Sequence, residues 1–219
     1  MYFLVHSYTK ILKKNKKILV IIQRSNGDVF LSLTLIKILY EYFKSPQIDL
    51  LINDDTLGIA ETFPYLNQIF TFSYKNKQTN RWKQESKIIS LLFRKYDLSI
   101  NLTSSDRSVI YALFASKNSI SAVERNIKKS WWKKFLLTYY YYFDSDKHIL
   151  LNNLEPLNLL QIEHQSIQEN LSCSLQAKNK IKEILENYDI KNFMIFHPSA
   201  QYDYKIFPFG YGKCIYSFY

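Results

Sequence analysis

The segment Lys17–Leu35, KILVIIQRSNGDVFLSLTL, decides the fold that we predict for this chain. It begins with Lys17–Gln23, a short β-branched run that is typical of a fully buried parallel strand. The polar turn that follows contains Gly27 and Asp28. The apolar residues of 29–44 then predict a long, mostly buried helix. A strand, a turn and a buried helix in this order predict the first unit of an α/β sheet.

Strands and helices continue to alternate after this segment. Further strands are predicted at 48–52, 68–72, 97–102 and 119–123. Helices are predicted between them at 55–63, 81–96 and 105–116. Four or five strands separated by helices indicate a doubly wound parallel sheet with helices on both faces. Beyond this sheet the pattern predicts helices at 154–169 and 174–188 and a new buried strand at 192–197.

The composition is that of a globular protein. Of 219 residues, 47% are hydrophobic and 22% are charged, which excludes a disordered polyelectrolyte. Two cysteines cannot build a disulfide framework, and the chain has no CxxC pair for zinc. No apolar run approaches a membrane span, and the first 17 residues lack the order of charges of a signal peptide. We therefore expect a cytoplasmic protein.

The formal net charge of +10 leaves two interpretations open: a lysine-coated surface or an anionic partner. The segment Lys128–Phe143, KKSWWKKFLLTYYYYF, combines four lysines with two tryptophans. Such a mixture suits anionic headgroups at a membrane interface, but an aromatic core helix with a fringe of lysines fits equally. Cations beside stacking aromatics also occur in nucleic-acid binders, although no recognisable nucleic-acid module accompanies them here, and we do not expect that partner.

Asp28 is the candidate catalytic residue. In an open α/β sheet, ligands bind beyond the carboxyl ends of the strands, where the turn 24–28 is expected. A carboxylate there could accept a proton from an attacking hydroxyl, and Gly27 would allow a close backbone approach or a positive φ. The alternative is structural, because Ser25-x-x-Asp28 also fits a helix capping box. The single glycine of the turn excludes a dinucleotide-binding GxGxxG motif and a Walker loop.

Five segments in the same order resemble family 9 glycosyltransferases, the bacterial lipopolysaccharide heptosyltransferases. Together they cover most of residues 17–209. They are Lys17–Leu35; IDLLIN at 48–53; FPYL at 63–66; YDLSINL at 96–102 with SDRS at 105–108; and HPSA at 197–200 with Lys205 and Pro208.

The resemblance implies a GT-B fold, in which two Rossmann-like domains face each other across a cleft. It implies inverting transfer of heptose from ADP-heptose to the lipid A-linked core oligosaccharide, without a metal ion or other cofactor. Asp28 would then be the general base, and Gly27 and Arg107 would lie on the acceptor side. Ser199 and Lys205 would contact the sugar nucleotide, with Lys205 as a point charge for phosphate. Such an enzyme would work in the cytoplasm, peripherally on the inner membrane.

The predicted domains are an N-terminal extension at 1–16, an acceptor-side Rossmann-like domain at 17–153, a helical connection at 154–191 and the start of a donor-binding domain at 192–219. The last ten residues hold two of the four glycines and show no helical period. We therefore expect a second domain that is only begun and a chain that is impaired as a catalyst. The alternative function is a non-catalytic basic α/β module that binds anionic lipid or nucleic acid.

Overall fold

The computed structural model describes residues 16–163 and 175–195, without the side chains of 75–81. The contacts between residues divide the chain into two units, with the boundary between 172 and 173. In the first unit, six parallel strands form one sheet in the order β3-β2-β1-β4-β5-β6. The strands are β1 (Lys17–Ile22), β2 (Gln47–Asn53), β3 (Gln68–Phe72), β4 (Leu98–Asn101), β5 (Ser119–Val123) and β6 (Tyr139–Tyr142). This architecture confirms the predicted doubly wound α/β sheet.

Helices connect the strands and, in the second unit, one helix is described. The bounds are α1 (Asn26–Phe30), α2 (Leu33–Tyr42), α3 (Leu57–Ala60), α4 (Tyr74–Leu92), α5 (Asp106–Ala115), α6 (Ile127–Leu136), α7 (Ile149–Leu159) and α8 (Leu175–Asn187), with a 3-10 turn at Asp54–Thr56. Across the described ranges, no helix is both long enough and apolar enough to cross a bilayer.

The core lies on both faces of the sheet, which explains the unbroken apolar run of β1. Ile18, Val20 and Ile22 point to one face and pack with α2 and α7. Leu19 and Ile21 point to the other face and pack with α4 and α5. A strand covered by helices on both sides is largely apolar along its whole length, because successive side chains point to opposite faces and both faces are buried.

Two segments of the first unit differ from the sequence prediction. The predicted helix at 29–44 is two helices, α1 and α2, with a break at Leu31 and Ser32. The buried Ser32 hydroxyl donates to the Val29 carbonyl oxygen at 2.6 Å, a local hydrogen bond that competes with regular helix. The second half of the 128–143 segment is strand β6, which pairs with β5 and was not predicted. Its four tyrosines have the aromatic character that suits a strand.

Two predictions for residues beyond 143 also differ from the structure. Helix α7 ends at Leu159 rather than at 169, because Gln161 adopts a left-handed φ of 55° and the Ile162 amide donates to the Leu157 carbonyl oxygen at 2.9 Å. This closure is a Schellman motif without a glycine, so the sequence gives no signal for it. Residues 192–195, where a buried strand was predicted, are exposed and irregular, and residues 164–174 and 196–219 lie outside the described residues.

Buried tyrosines reinforce the amino edge and the β6 side of the sheet. The Tyr96 hydroxyl donates to the Asp49 carboxylate at 2.8 Å, and the Asn67 amide donates to its other oxygen at 2.8 Å. Burial, and then the hydrogen bond to Asp49, raises the pKa of Tyr96 well above its ordinary value. Burial likewise raises the pKa of Tyr141 on β6. Both phenols therefore stay neutral, and that of Tyr96 acts as a hydrogen-bond donor to Asp49.

Candidate active site

The switch in strand order between β1 and β4 positions the candidate site. The helices that follow β1 pack on one face of the sheet, and α5, which follows β4, packs on the other. The two connections therefore leave the carboxyl edge toward opposite faces, and open α/β sheets bind their ligands in a crevice at such a point. The turn at 24–28 and the loop at 102–105 follow β1 and β4 at this edge, and the space beside them is the candidate crevice.

Hydrogen bonds hold these two loops together. The Leu102 amide donates to the Ile21 carbonyl oxygen at 2.8 Å, and the Gln23 amide donates to the Thr103 hydroxyl at 2.9 Å. The buried Asn101 side chain braces the second loop, since its amide donates to the Thr103 carbonyl at 2.6 Å and its oxygen accepts from the Thr103 amide at 3.1 Å. The sequence analysis missed this role of Asn101, which it placed in the predicted strand at 97–102 without a further function.

Asp28 lies in the turn after β1 with a partly exposed carboxylate. The Ser25 hydroxyl donates to Asp28 Oδ2 at 3.1 Å, and Arg24 Nη1 lies 3.9 Å from the same oxygen. The Arg24 guanidinium also stacks over the Phe143 ring at 4.1 Å from its centroid. The capping-box alternative is not realised, because the Ser25 side chain caps no backbone amide of α1. The carboxylate is therefore oriented by side chains and remains open to the crevice.

Gly27 lies within α1 and does not have the positive φ that the sequence analysis allowed. Of the two alternatives for Gly27, the positive φ is not realised, because the turn continues directly into helical backbone. A Cβ atom at Gly27 would meet no described atom within 4 Å, so packing does not require glycine here. What remains of the prediction is a close approach of a ligand to the exposed backbone of Gly27.

Arg107 extends from the first turn of α5 across the carboxyl ends of several strands. Its guanidinium stacks on the Phe72 ring at 3.8 Å from the centroid. Its Nη2 donates to the Tyr74 hydroxyl at 2.9 Å, and its Nε donates weakly to Gln23 Oε1 at 3.4 Å. The structure therefore holds Arg107 in one orientation beside the crevice, whereas its position in the sequence suggests a solvated surface cation. Whether it binds an acceptor stays a prediction.

Two buried polar atoms lie at the same edge of the sheet. Gln23 follows β1 and Asn53 ends β2, and both side chains are more than nine-tenths buried. Gln23 Nε2 and Asn53 Oδ1 have no hydrogen-bond partner among residues 16–163 and 175–195. Buried polar groups are usually paired, and those left open in a native protein concentrate at functional positions. These two atoms are thus candidates for contact with a polar ligand.

The ammonium group of Lys133 on α6 contacts groups in two neighbouring loops. Its side chain is fully buried, and its Nζ donates to the Ser104 carbonyl oxygen at 2.6 Å and to the Glu124 carboxylate at 2.7 Å. A further ion pair joins Nζ to Asp106 Oδ1 at 2.7 Å. Lys133 therefore ties the loop after β4 to the end of β5. It does not belong to the surface lysines with which the sequence analysis grouped it.

The predicted donor-side residues Ser199 and Lys205 lie outside the described residues. Within the part of the chain that the structure describes, no three His, Cys, Asp or Glu side chains are grouped as metal ligands. The arrangement at the carboxyl edge is thus a carboxylate oriented by an arginine and a serine, with a second, stacked arginine in the first turn of α5. Such an arrangement can accept a proton and bind anionic groups.

Comparison with solved structures identifies the fold. A family 9 glycosyl transferase from Veillonella parvula DSM 2008 matches 89% of this chain over 56% of its own length, with a TM-score of 0.74 and 16% identity. E. coli ADP-heptose lps heptosyltransferase II matches 84% of this chain over 55% of its own, at a TM-score of 0.58 and 18% identity. E. coli heptosyltransferase WaaC with ADP-2-deoxy-2-fluoro heptose matches 69% of this chain over 50% of its own length, with a TM-score of 0.59 and 12% identity.

Sequence comparison found no relative, since no family model and no curated protein sequence matches the chain. The structural likeness confirms, at the level of the fold, the resemblance predicted from the sequence. The chain spans about half the length of the solved structures that it matches. It therefore has the Rossmann-like α/β fold found in family 9 glycosyltransferase and heptosyltransferase structures, over about half of their length.

Proposed function

We propose that this chain provides the acceptor side of an inverting glycosyltransferase, which transfers heptose from ADP-heptose to the lipid A-linked inner core of lipopolysaccharide. The observation that carries the proposal is the position of Asp28. Its carboxylate, oriented by Arg24 and Ser25, lies at the switch-point crevice of a fold shared with glycosyltransferase structures. The reaction would take place at the cytoplasmic face of the inner membrane, where a nucleotide sugar meets a lipid-linked acceptor.

Asp28 would act as the general base. Its Oδ atom takes the proton of the acceptor hydroxyl while that oxygen attacks the anomeric carbon of the donor. The new glycosidic bond forms as the bond from the anomeric carbon to the ADP oxygen breaks, and ADP leaves with the electron pair. A single displacement of this kind inverts the anomeric configuration. The reaction balances with no oxidant, and we propose that it needs no metal ion.

The donor side rests on the resemblance and on the neighbours. E. coli heptosyltransferase WaaC is described with ADP-2-deoxy-2-fluoro heptose in one similar structure and with ADP in another, and a third structure is an ADP-heptose lps heptosyltransferase by its description. We propose the same donor for this protein, with Ser199 and Lys205 as its contacts. Lys205 would supply a positive charge for the diphosphate, whose negative charge grows as ADP leaves.

A transfer assay tests the proposal directly. The protein expressed from its whole gene is incubated with ADP-heptose and a lipid A-linked core acceptor, and the product is identified by mass spectrometry. We expect an acceptor heavier by one heptose, an anomeric configuration opposite to that of the donor by NMR, and undiminished activity in EDTA. ADP-glucose serves as the control donor. Absence of transfer, or retention of configuration, would contradict the proposal.

Replacement of Arg107 by lysine is expected to weaken acceptor binding. Lysine keeps the charge but loses the planar stacking on Phe72 and the fork of donors, so we expect the KM for the acceptor to rise about tenfold or more, with kcat nearly unchanged. Steady-state kinetics with varied acceptor measure the effect. The matched control is Arg94→Lys, in the connection that precedes β4 at the amino edge of the sheet, and this variant should leave KM unaltered. Equal KM values in the two variants would remove Arg107 from the acceptor site.

A further inference from the structure

Helix α6 presents an apolar stripe to solvent. Ile127, Trp131 and Phe135 recur at four-residue spacing, so they share one face of the helix. Their side chains are 73%, 64% and 84% exposed, and the adjacent Leu136 is also exposed. Large apolar side chains seldom line up on a soluble surface without a partner, and such a stripe marks an interaction surface.

The opposite side of α6 is the one that packs against the core. Ser130 and Lys133 are buried beneath the helix, and Trp132 packs on the cluster of Val109, Val123 and Leu137. The fold therefore does not use Ile127, Trp131 or Phe135 for packing. The two tryptophans are neighbours in sequence but differ in burial, since Trp131 is exposed and Trp132 is partly buried.

Positive charge accompanies the stripe. Lys128 and Lys129 follow Ile127 in the first turn of the helix and are exposed, and the helix 127–136 contains no acidic residue. An apolar groove between α5 and α6 continues the surface and is lined by Ile110, Phe114 and Leu136, with Arg94 and Lys117 among its lining residues. The two carboxylates nearest to the start of α6 and α5, Glu124 and Asp106, are already paired with buried Lys133.

We propose that this surface, the exposed α6 stripe with its lysines, binds a lipid bilayer with anionic headgroups. Aromatic and aliphatic side chains of an amphipathic helix insert at the boundary between headgroups and acyl chains, while lysines extend to the phosphates. Nucleic acid fits less well, because three of the exposed side chains, Ile127, Leu136 and Ile110, are aliphatic and offer no stacking face.

The location of α6 relates this surface to the candidate site without depending on the proposed function. Helix α6 begins at Ile127, directly after β5 has ended at Val123, so its first turn lies at the carboxyl edge of the sheet, as the turn with Asp28 does. A protein bound to a bilayer through α6 would hold its crevice close to the membrane surface. A lipid-linked ligand would then reach the crevice without leaving the bilayer.

Vesicle binding tests the proposal. The purified protein is sedimented with vesicles of phosphatidylcholine alone and with vesicles containing about one third phosphatidylglycerol, and we expect binding to the anionic vesicles at least about tenfold stronger. Each of Lys128→Ser and Lys129→Ser should weaken that binding about fivefold. The double variant Trp131→Asn with Phe135→Asn should weaken it by about a hundredfold. The matched control is Trp82→Asn, a tryptophan on α4 that is even more exposed at 83%, and this variant should bind as the parent does.

Fluorescence gives a readout that does not depend on sedimentation. With Trp82 and Trp132 replaced by phenylalanine, the emission of Trp131 should shift to the blue when anionic vesicles are added. An unshifted emission, or equal loss of binding in the Trp82→Asn control, would overturn the proposal. So would stronger binding to RNA than to vesicles, or a dimer in sedimentation velocity that Trp131→Asn dissolves, because each shows a different occupant of this surface.

Discussion

Asp28→Asn is expected to lower the rate of sugar transfer by about two to four orders of magnitude. The amide keeps the shape of the side chain but cannot take the proton of the acceptor hydroxyl. The fold should tolerate the change, because the carboxylate is partly exposed and its ion pair with Arg24 is long, at 3.9 Å. Loss of such a pair alters the free energy of unfolding by about 0.5 kcal/mol or less.

The measurement is kcat in the transfer assay, together with urea unfolding of both proteins. The matched control is Glu41→Gln, the same chemical change at an exposed position near the end of α2, and it should leave kcat unaltered. Asp28→Glu keeps a base but shifts it by one methylene, so we expect an intermediate rate. If Asp28→Asn retained the parent rate, Asp28 could not be the general base.

Lys133→Ala should destabilise the fold more than any other single replacement of a lysine that we consider. The variant leaves the Ser104 carbonyl oxygen and the Glu124 carboxylate without the ammonium that both contact, and it opens a cavity beneath α6. Breaking a buried ion pair costs about 3–5 kcal/mol, and because Glu124 is partly exposed we expect about 2–4 kcal/mol here.

Urea unfolding measures this loss, with Lys129→Ala as the control. Lys129 is four residues away on the same helix and exposed, so its removal should change the free energy of unfolding by about 0.5 kcal/mol or less. The double variant Lys133→Met with Glu124→Gln removes the unpaired charge of Glu124, the less exposed of the two carboxylates that contact Lys133, and should recover part of the stability. Equal stability of Lys133→Ala and Lys129→Ala would show that the buried ion pair contributes nothing.

The predicted strands were correct where a local pattern is sufficient. The prediction for β3 and β5 has the bounds of the structure, and β1, β2 and β4 differ only at their ends. Each is a short β-branched or alternating run bounded by turn residues, and such runs carry their own signal. Strand β6 was missed because its tyrosines were interpreted together with the lysines before them, and only pairing with β5 separates the two.

The sequence by itself determined the α/β class, the order of its first five strands and the position of Asp28 after the first strand, because periodicity and turn composition are properties of neighbouring residues. Tertiary structure alone decided the environment of each charge. Lys133 is buried while Lys129 is exposed, and Arg107 lies on the ring of Phe72, which is distant in the chain. Burial and stacking depend on which elements the sheet brings together, and no local pattern contains that information.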